Sequence, residues 1–255
     1  MYDAQEIIDA AKRIENEIYE TPLFENSELN AILGGRVFLK PECLQRTGSF
    51  KIRGAYNFMS QLSSTEAENG VVAFSSGNHA QGVAMAGKIL KIKTTIVIPQ
   101  DAPESKIANT KKLGGNVILY DRYKECREKI AKKIARDTGA ILVPSYDHKD
   151  IIIGQGTVGL EIIQQIRNHS NSLDQVLICC GGGGLSAGSS IAIKDALPET
   201  EIFLVEPKFF NDTKKSFKAG KRISNTSNKQ SICDALLADI PGELTFSINN
   251  KLATN

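Results

Sequence analysis

The 255-residue sequence predicts an α/β fold with parallel sheets, and three observations carry that prediction. Short apolar segments bounded by Gly or Pro recur along the chain; helical stretches separate them; and 41% of the residues are hydrophobic, enough for a large buried core. Strands that alternate with helices pair in parallel, because each crossover lays a helix on a face of the sheet.

The elements follow in order. Ile7, Ile8, Ala11, Ile14 and Ile18 recur at helical spacing and predict an opening amphipathic helix that stops before Thr21-Pro22. Val37-Phe38-Leu39 reads as a short strand. Strands are then expected at 70–74, 94–99, 116–120 and 140–144, with helices at 81–90, 104–113 and 123–138. A second α/β unit follows: helix 155–167, strand 176–180, helix 185–197 and strand 202–206. The polar stretch 169–174 reads as a surface loop, and the basic, Ser/Asn-rich stretch 214–229 receives no assignment. No internal repeat or low-complexity tract is present.

Composition excludes several classes of function. Thirty-one basic against 29 acidic residues leave a net charge of +2, too little for a field that would hold a nucleic-acid backbone. No apolar run reaches the length of a membrane span, and residues 1–20 carry acids unlike a signal peptide. The five cysteines show no Cys-x-x-Cys or Cys/His metal spacing, and their odd number argues against a disulfide framework; a cytoplasmic, reducing setting is expected.

Three segments carry chemistry. Thr47-Gly-Ser-Phe-Lys-Ile-Arg-Gly54 places Lys51 beside Phe50 and Ser49 at an expected strand-to-helix turn, where an amine can form a Schiff base with an aldehyde cofactor; a plain surface lysine is the competing reading. Ser75-Ser76-Gly77-Asn78-His79-Ala80 precedes a helix, so its N–H groups suit a carboxylate, or else its side chains cap that helix. Gly181-Gly182-Gly183-Gly184-Leu185 joins a strand to a helix and suits a phosphate, since four glycines are costly in backbone entropy for a mere turn. The same run also satisfies Gly-x-Gly-x-x-Ala, with Glu206 at the next strand end, which keeps a nicotinamide-dependent oxidoreductase as an alternative.

Taken together and in this order, the three segments resemble the fold-type II pyridoxal-phosphate enzymes, and most closely their threonine/serine dehydratase and serine racemase branch. The resemblance implies the tryptophan synthase beta-like architecture: a large domain from 1–69 and 148–255, and a small inserted α/β domain at 70–147. It implies pyridoxal 5'-phosphate on Lys51, with Phe50 against the ring, Asn78 at the ring hydroxyl and Gly181, Gly182, Gly183, Gly184 and Leu185 around the phosphate. Ser75, Ser76, Asn78 and His79 would hold the substrate carboxylate. Lys51 would be the catalytic base, and Ser76 would be the second base of a racemase. The implied reaction is dehydration of a hydroxy-amino acid to a 2-oxo acid and ammonia, with amino-acid racemisation and 3-hydroxyaspartate dehydration as alternatives. Gly154-Gln-Gly-Thr157 and Pro241-Gly-Glu-Leu-Thr-Phe246 also look like dehydratase segments.

Two further expectations come from the family. Glu206, the Phe210 carbonyl and Asp212 match a site for a divalent cation (Mg2+, Ca2+ or Mn2+), although two acids in a loop are by themselves most often solvated. Relatives continue beyond the position of Asn255 into more of the large domain and a Ser-Gly-Gly-Asn-like segment. The resemblance therefore implies a large domain incomplete at its C-terminus, with an uncovered apolar face and sheet edge, and keeps an inactive remnant as an alternative. A homodimer is expected of the complete fold.

Overall fold

The computed structural model describes residues 3–75, 77–169, 172–226, 229 and 231–254. Ser76 therefore lies outside the described residues, as do Ser170, Asn171, Ser227 and Asn228 of the two polar stretches. In chain order the elements are α1 (Ala4–Ile14), β1 (Phe24–Glu25), α2 (Ser27–Leu33), β2 (Phe38–Leu39), α3 (Lys51–Met59), α4 (Ser64–Asn69), β3 (Val71–Phe74), α5 (Asn78–Leu90), β4 (Thr94–Pro99), α6 (Glu104–Lys112), β5 (Asn116–Tyr120), α7 (Arg127–Thr138), β6 (Ile141–Leu142), α8 (Lys149–Ile166), β7 (Gln175–Cys179), α9 (Gly184–Ala196), β8 (Glu201–Val205), α10 (Asp212–Ala219) and α11 (Glu243–Leu252).

Four strands form a parallel sheet in the order β5-β4-β3-β6, with Ala73 beside Ile96 and Ile96 beside Val117. Side chains alternate across it as a strand's period of two requires. Val71, Ala73, Ile96 and Ile98 pack with Ile52, Met59, Ala80 and Val83 of α3 and α5, whereas Val72 and Val97 pack with Ala131 of α7. Helices thus cover both faces, which is why these strands read as continuous apolar runs. A second parallel pair, β7 and β8, sits beside α8, α9 and α1, where Ile7, Ile152, Ile178, Ile193 and Ile202 meet. Each such side chain fully buried contributes about 1.5–3 kcal/mol. Leu177 and Val205 of that pair remain 68% and 44% exposed.

Several boundaries differ from the sequence reading, each for a local reason. The opening helix ends at Ile14 rather than running towards Thr21, although Ile18 still packs into the core from the turn that follows. Helix α8 begins six residues before the expected 155, where the His148 ring nitrogen accepts from the Asp150 N–H. Gly154 and Gly156, which the sequence reading gave only as a family-like segment at the start of the expected helix, are the places where helices touch. A Cβ on Gly154 would stand 2.7 Å from the Gly54 Cα and 2.8 Å from the Arg53 carbonyl oxygen, so α3 and α8 cross backbone to backbone. Gly154→Ala is expected to push these helices apart and to destabilise the fold by about 1–3 kcal/mol, as overpacking does, read as a lower urea midpoint at unchanged slope.

Behind that crossing the Arg53 side chain is fully buried. Its Nε and Nη2 each donate to Glu42 at 2.8 Å, Nη2 donates to Glu161 at 3.0 Å, and Nη1 donates to Glu161 and, at 3.2 Å, to Thr157. Lys40 completes the group by donating to Glu161 at 2.6 Å. Two cations therefore face two carboxylates, and the guanidinium ties α3 to α8 and to the turn at Glu42. The helix that Lys51 begins is held from behind.

Candidate active site

A cavity of about 450 Å³ opens where α3, α5 and α9 begin, and its wall includes Phe50, Lys51, Ser75, Asn78, His79 and Gly181 to Leu185. Three segments that are far apart in sequence thus share one space. Lys51 follows a turn in which Thr47 and Gly48 both adopt left-handed backbone, at φ +65° and +70°. For a β-branched residue that conformation is a genuine strain, and it turns the chain sharply into α3. The Lys51 amine donates to the Ser145 carbonyl oxygen at 2.6 Å and stands 5.4 Å from the Phe50 ring centroid. Burial disfavours its charged form and lowers its pKa to about 8.

Helix α5 starts at Asn78 without a side-chain cap; the Ser75 hydroxyl instead accepts from the Gly77 N–H at 3.2 Å. Asn78 and His79, at the N-terminus of this helix, lie on the cavity wall, so the positive end of the helix dipole faces the cavity. His79 is buried, and its Nε2 lies 3.2 Å from the Val143 carbonyl oxygen. Burial, reinforced by the nearby Lys51 charge, pushes its pKa down to about 3. The ring is therefore neutral, and Nε2 carries the proton that it donates to Val143.

The glycine loop has the complementary property. The Gly182 carbonyl accepts from the Thr245 hydroxyl at 2.7 Å, and the Gly183 carbonyl accepts from the Asn249 amide at 3.3 Å. Its N–H groups from Gly181 to Leu185 have no acceptor among the described residues. Gly183 stands at φ +93°, and a Cβ on Gly182 would stand only 2.4 Å from the Tyr146 ring. Glycine is required here by backbone shape and by close approach. The buried Ser49 hydroxyl on the same wall is also without a partner.

Free amide donors, a helix dipole and an orphaned hydroxyl fit a phosphate, and a desolvated amine beside them fits an aldehyde. Such an arrangement, set in a parallel α/β frame, suits an enzyme that anchors an aldehyde cofactor on lysine. The pyridoxal-phosphate dependent enzyme family matches residues 14–254, and the chain belongs to that family, whose cofactor is pyridoxal phosphate. The chain is 41% identical over 243 residues to the L-threo-3-hydroxyaspartate ammonia-lyase of Saccharomyces cerevisiae, covering 95% of this chain and 73% of that one. It is 40% identical over 251 residues to the L-threonine ammonia-lyase of Thermotoga maritima, covering 98% of this chain and 61% of that one. The structure of maize serine racemase superposes with a TM-score of 0.94 at 38% identity, covering 99% of this chain and 75% of that one.

These findings set aside the nicotinamide reading of the glycine run. Glu206, its expected ribose ligand, instead caps α10: its carboxylate accepts from the Thr213 and Lys214 N–H groups at 2.8 and 3.0 Å. Asp212 is likewise not a loop residue but opens α10, and Phe210 is buried next to it. The Asp212 Oδ1 accepts from Asn225 at 2.9 Å, and its buried Oδ2 has no partner. Burial raises the Asp212 pKa to about 7. Among the described residues there is no group of three or more His, Cys, Asp or Glu that could hold a metal ion, and no helix is long and apolar enough to cross a membrane.

Sequence reasoning missed Tyr146, Ser145, Lys106 and the turn at Asp234–Leu236, all on the cavity wall. It also gave no role to Asp147, whose carboxylate accepts from the N–H groups of Glu243, Leu244 and Thr245 at 2.8–3.1 Å. That cap fixes α11 against the glycine loop. An aspartate at 147 and a helix starting at 243 share no local sequence signal.

Proposed function

We propose that this chain is a pyridoxal-phosphate-dependent ammonia-lyase that converts a hydroxy-amino acid such as threonine, serine or 3-hydroxyaspartate to a 2-oxo acid and ammonia. The observation that carries the proposal is the Lys51 amine, desolvated and sharing one cavity with the unpaired N–H groups of Gly181 to Leu185. When bound, the cofactor supplies an aldehyde that joins covalently to amines and a ring system that stabilises negative charge at the substrate Cα. The residues supply the rest. Lys51 Nζ, its pKa lowered by burial to about 8, takes the α-proton, and the Ser145 carbonyl orients it through the hydrogen bond they share.

Gly181 to Leu185 bind the phosphate through backbone N–H groups, which anchors the far end of the cofactor. Phe50 flanks its ring, and Asn78 meets the ring hydroxyl. Ser75, Asn78 and His79 receive the substrate carboxylate at the start of α5, where a neutral His79 adds no second base. Ser76 is assigned with them, and it is also the second-face proton donor that racemisation needs. A divalent cation at Glu206, the Phe210 carbonyl and Asp212 belongs to the same proposal; the orphaned Oδ2 of Asp212 supports it. Five free thiols accord with a reducing cytoplasm.

The test is ammonia release from L-threonine and L-serine by the cofactor-loaded protein, with magnesium and with chelator. Release that depends on added cofactor is expected, and it should be faster with magnesium. No release from any hydroxy-amino acid overturns the proposal, and equal rates with chelator remove the cation site from it.

A further inference from the structure

Two lysines line the cavity, and the proposed function uses one of them. The other, Lys106, stands near the start of α6. Its Nζ lies 3.9 Å from where a Cβ on Gly77 would be, so it overlooks the turn into α5 at which the substrate's α-carboxylate is placed. Its partner is Asp234, whose Oδ2 lies 2.7 Å away on a turn 128 residues further along the chain. The two side chains are 33% and 68% exposed. An ion pair that open contributes about 0–1 kcal/mol, so Lys106 can exchange Asp234 for another carboxylate at little cost.

The remaining ionisable side chains of the wall offer no alternative cation. Lys51 is committed to the cofactor, His79 is held neutral by burial, and Glu42 and Asp234 are acids. A substrate with one carboxylate spends it at the start of α5 and brings no second charge to draw Lys106 from Asp234. A substrate with a second carboxylate on its hydroxyl-bearing carbon brings a charge into the cavity that needs a counter-ion, and Asp234 would compete with it for the same amine. We propose that Lys106, shared between Asp234 and the substrate, is the specificity-determining residue that favours hydroxy-amino acids with a second carboxylate over serine and threonine. This rests on the placement of Lys51 and of the α5 start given above.

Two variants separate this role from a simple clasp across the cavity mouth, because they move in opposite directions. The readout is the ratio of kcat/KM for threo-3-hydroxyaspartate to that for L-serine. Lys106→Met is expected to lower the ratio by roughly 10–100-fold, the loss of one charge-assisted hydrogen bond. Asp234→Asn is expected to raise it, since the amine is no longer shared. If the pair only clasps the two sides together, both variants slow both substrates alike; an unchanged ratio overturns the proposal.

A second readout needs no turnover. Calorimetric titration with succinate and butyrate compares two carboxylates with one on chains of equal length. Succinate is expected to bind more tightly to the wild type, the preference to vanish in Lys106→Met and to grow in Asp234→Asn; equal affinity of the wild type for both ligands overturns the proposal. Failure of the wild type to take up pyridoxal phosphate at Lys51 counts against the proposed function instead, and the succinate titration still decides the role of Lys106.

Discussion

Replacing Lys51 by alanine is expected to abolish covalent capture of pyridoxal phosphate and to lower ammonia release by at least about 10²–10⁴-fold, the range that one positioned proton-transfer group contributes. The loss should exceed that of any other single substitution on the cavity wall, because the same nitrogen both anchors the cofactor and receives the α-proton. Borohydride treatment followed by peptide mass mapping checks the first half: the cofactor's mass should appear on the peptide that contains Lys51 and nowhere in the variant. Capture at another lysine would refute the assignment.

The environment of that amine also gives a pH dependence with a definite sign. Burial lowers the Lys51 pKa from 10.5 to about 8. Between those values the unfolded chain holds more protons at this residue than the folded chain does, so the cofactor-free protein gains stability as the pH rises through that window. Lys51→Ala should lack this gain, which melting curves of the two proteins across the window would show. Capture of the cofactor should likewise quicken as the pH approaches about 8 and then level off, since only the neutral amine attacks the aldehyde.

The second large effect is expected at Arg53, which never touches the cavity. Arg53→Met leaves Glu42 and Glu161 facing each other inside the protein with Lys40 as their remaining cation. Breaking a buried pair by removing one partner costs about 3–5 kcal/mol, a large share of the 5–15 kcal/mol by which a typical domain is stable. The urea midpoint should fall accordingly. Arg53→Lys should recover only part of the loss, because an ammonium cannot serve two carboxylates in a planar fork. Neutralising Glu42 and Glu161 to Gln in the Arg53→Met background should restore stability that neither change alone provides; strict additivity would show that the charges are not coupled.

How much of this was legible in the sequence depends on the range over which each signal acts. Strand Thr94–Pro99 was readable to the residue, because burial on both faces leaves a nearly continuous apolar run that ends at Pro99; the edge strand Asn116–Tyr120 was readable from its apolar centre after Gly114-Gly115. Helix α4, Ser-Thr-Glu-Ala-Glu-Asn, has no apolar stripe to find, and only the capping box between Ser63 and Glu66 marks it. Helix α11 was read as a family segment without structure, since its cap comes from Asp147, 96 residues upstream. The packing role of the glycines at 154 and 156 had no signal in the sequence, because a glycine's cost in a helix is local, whereas the close crossing that requires it is not.

By itself the sequence determined the alternation of strands and helices and the chemistry of its three motifs: an amine beside an aromatic ring, a polar helix start and a run of glycines. Those properties live in side-chain type and short-range spacing. Only the tertiary structure decided that the amine is desolvated, that the glycine carbonyls are tied to α11 while their N–H groups stay free, and that Lys106 meets Asp234 across the cavity. Desolvation, hydrogen-bond satisfaction and ion pairing depend on distances between residues far apart in the chain, and folding alone sets those distances.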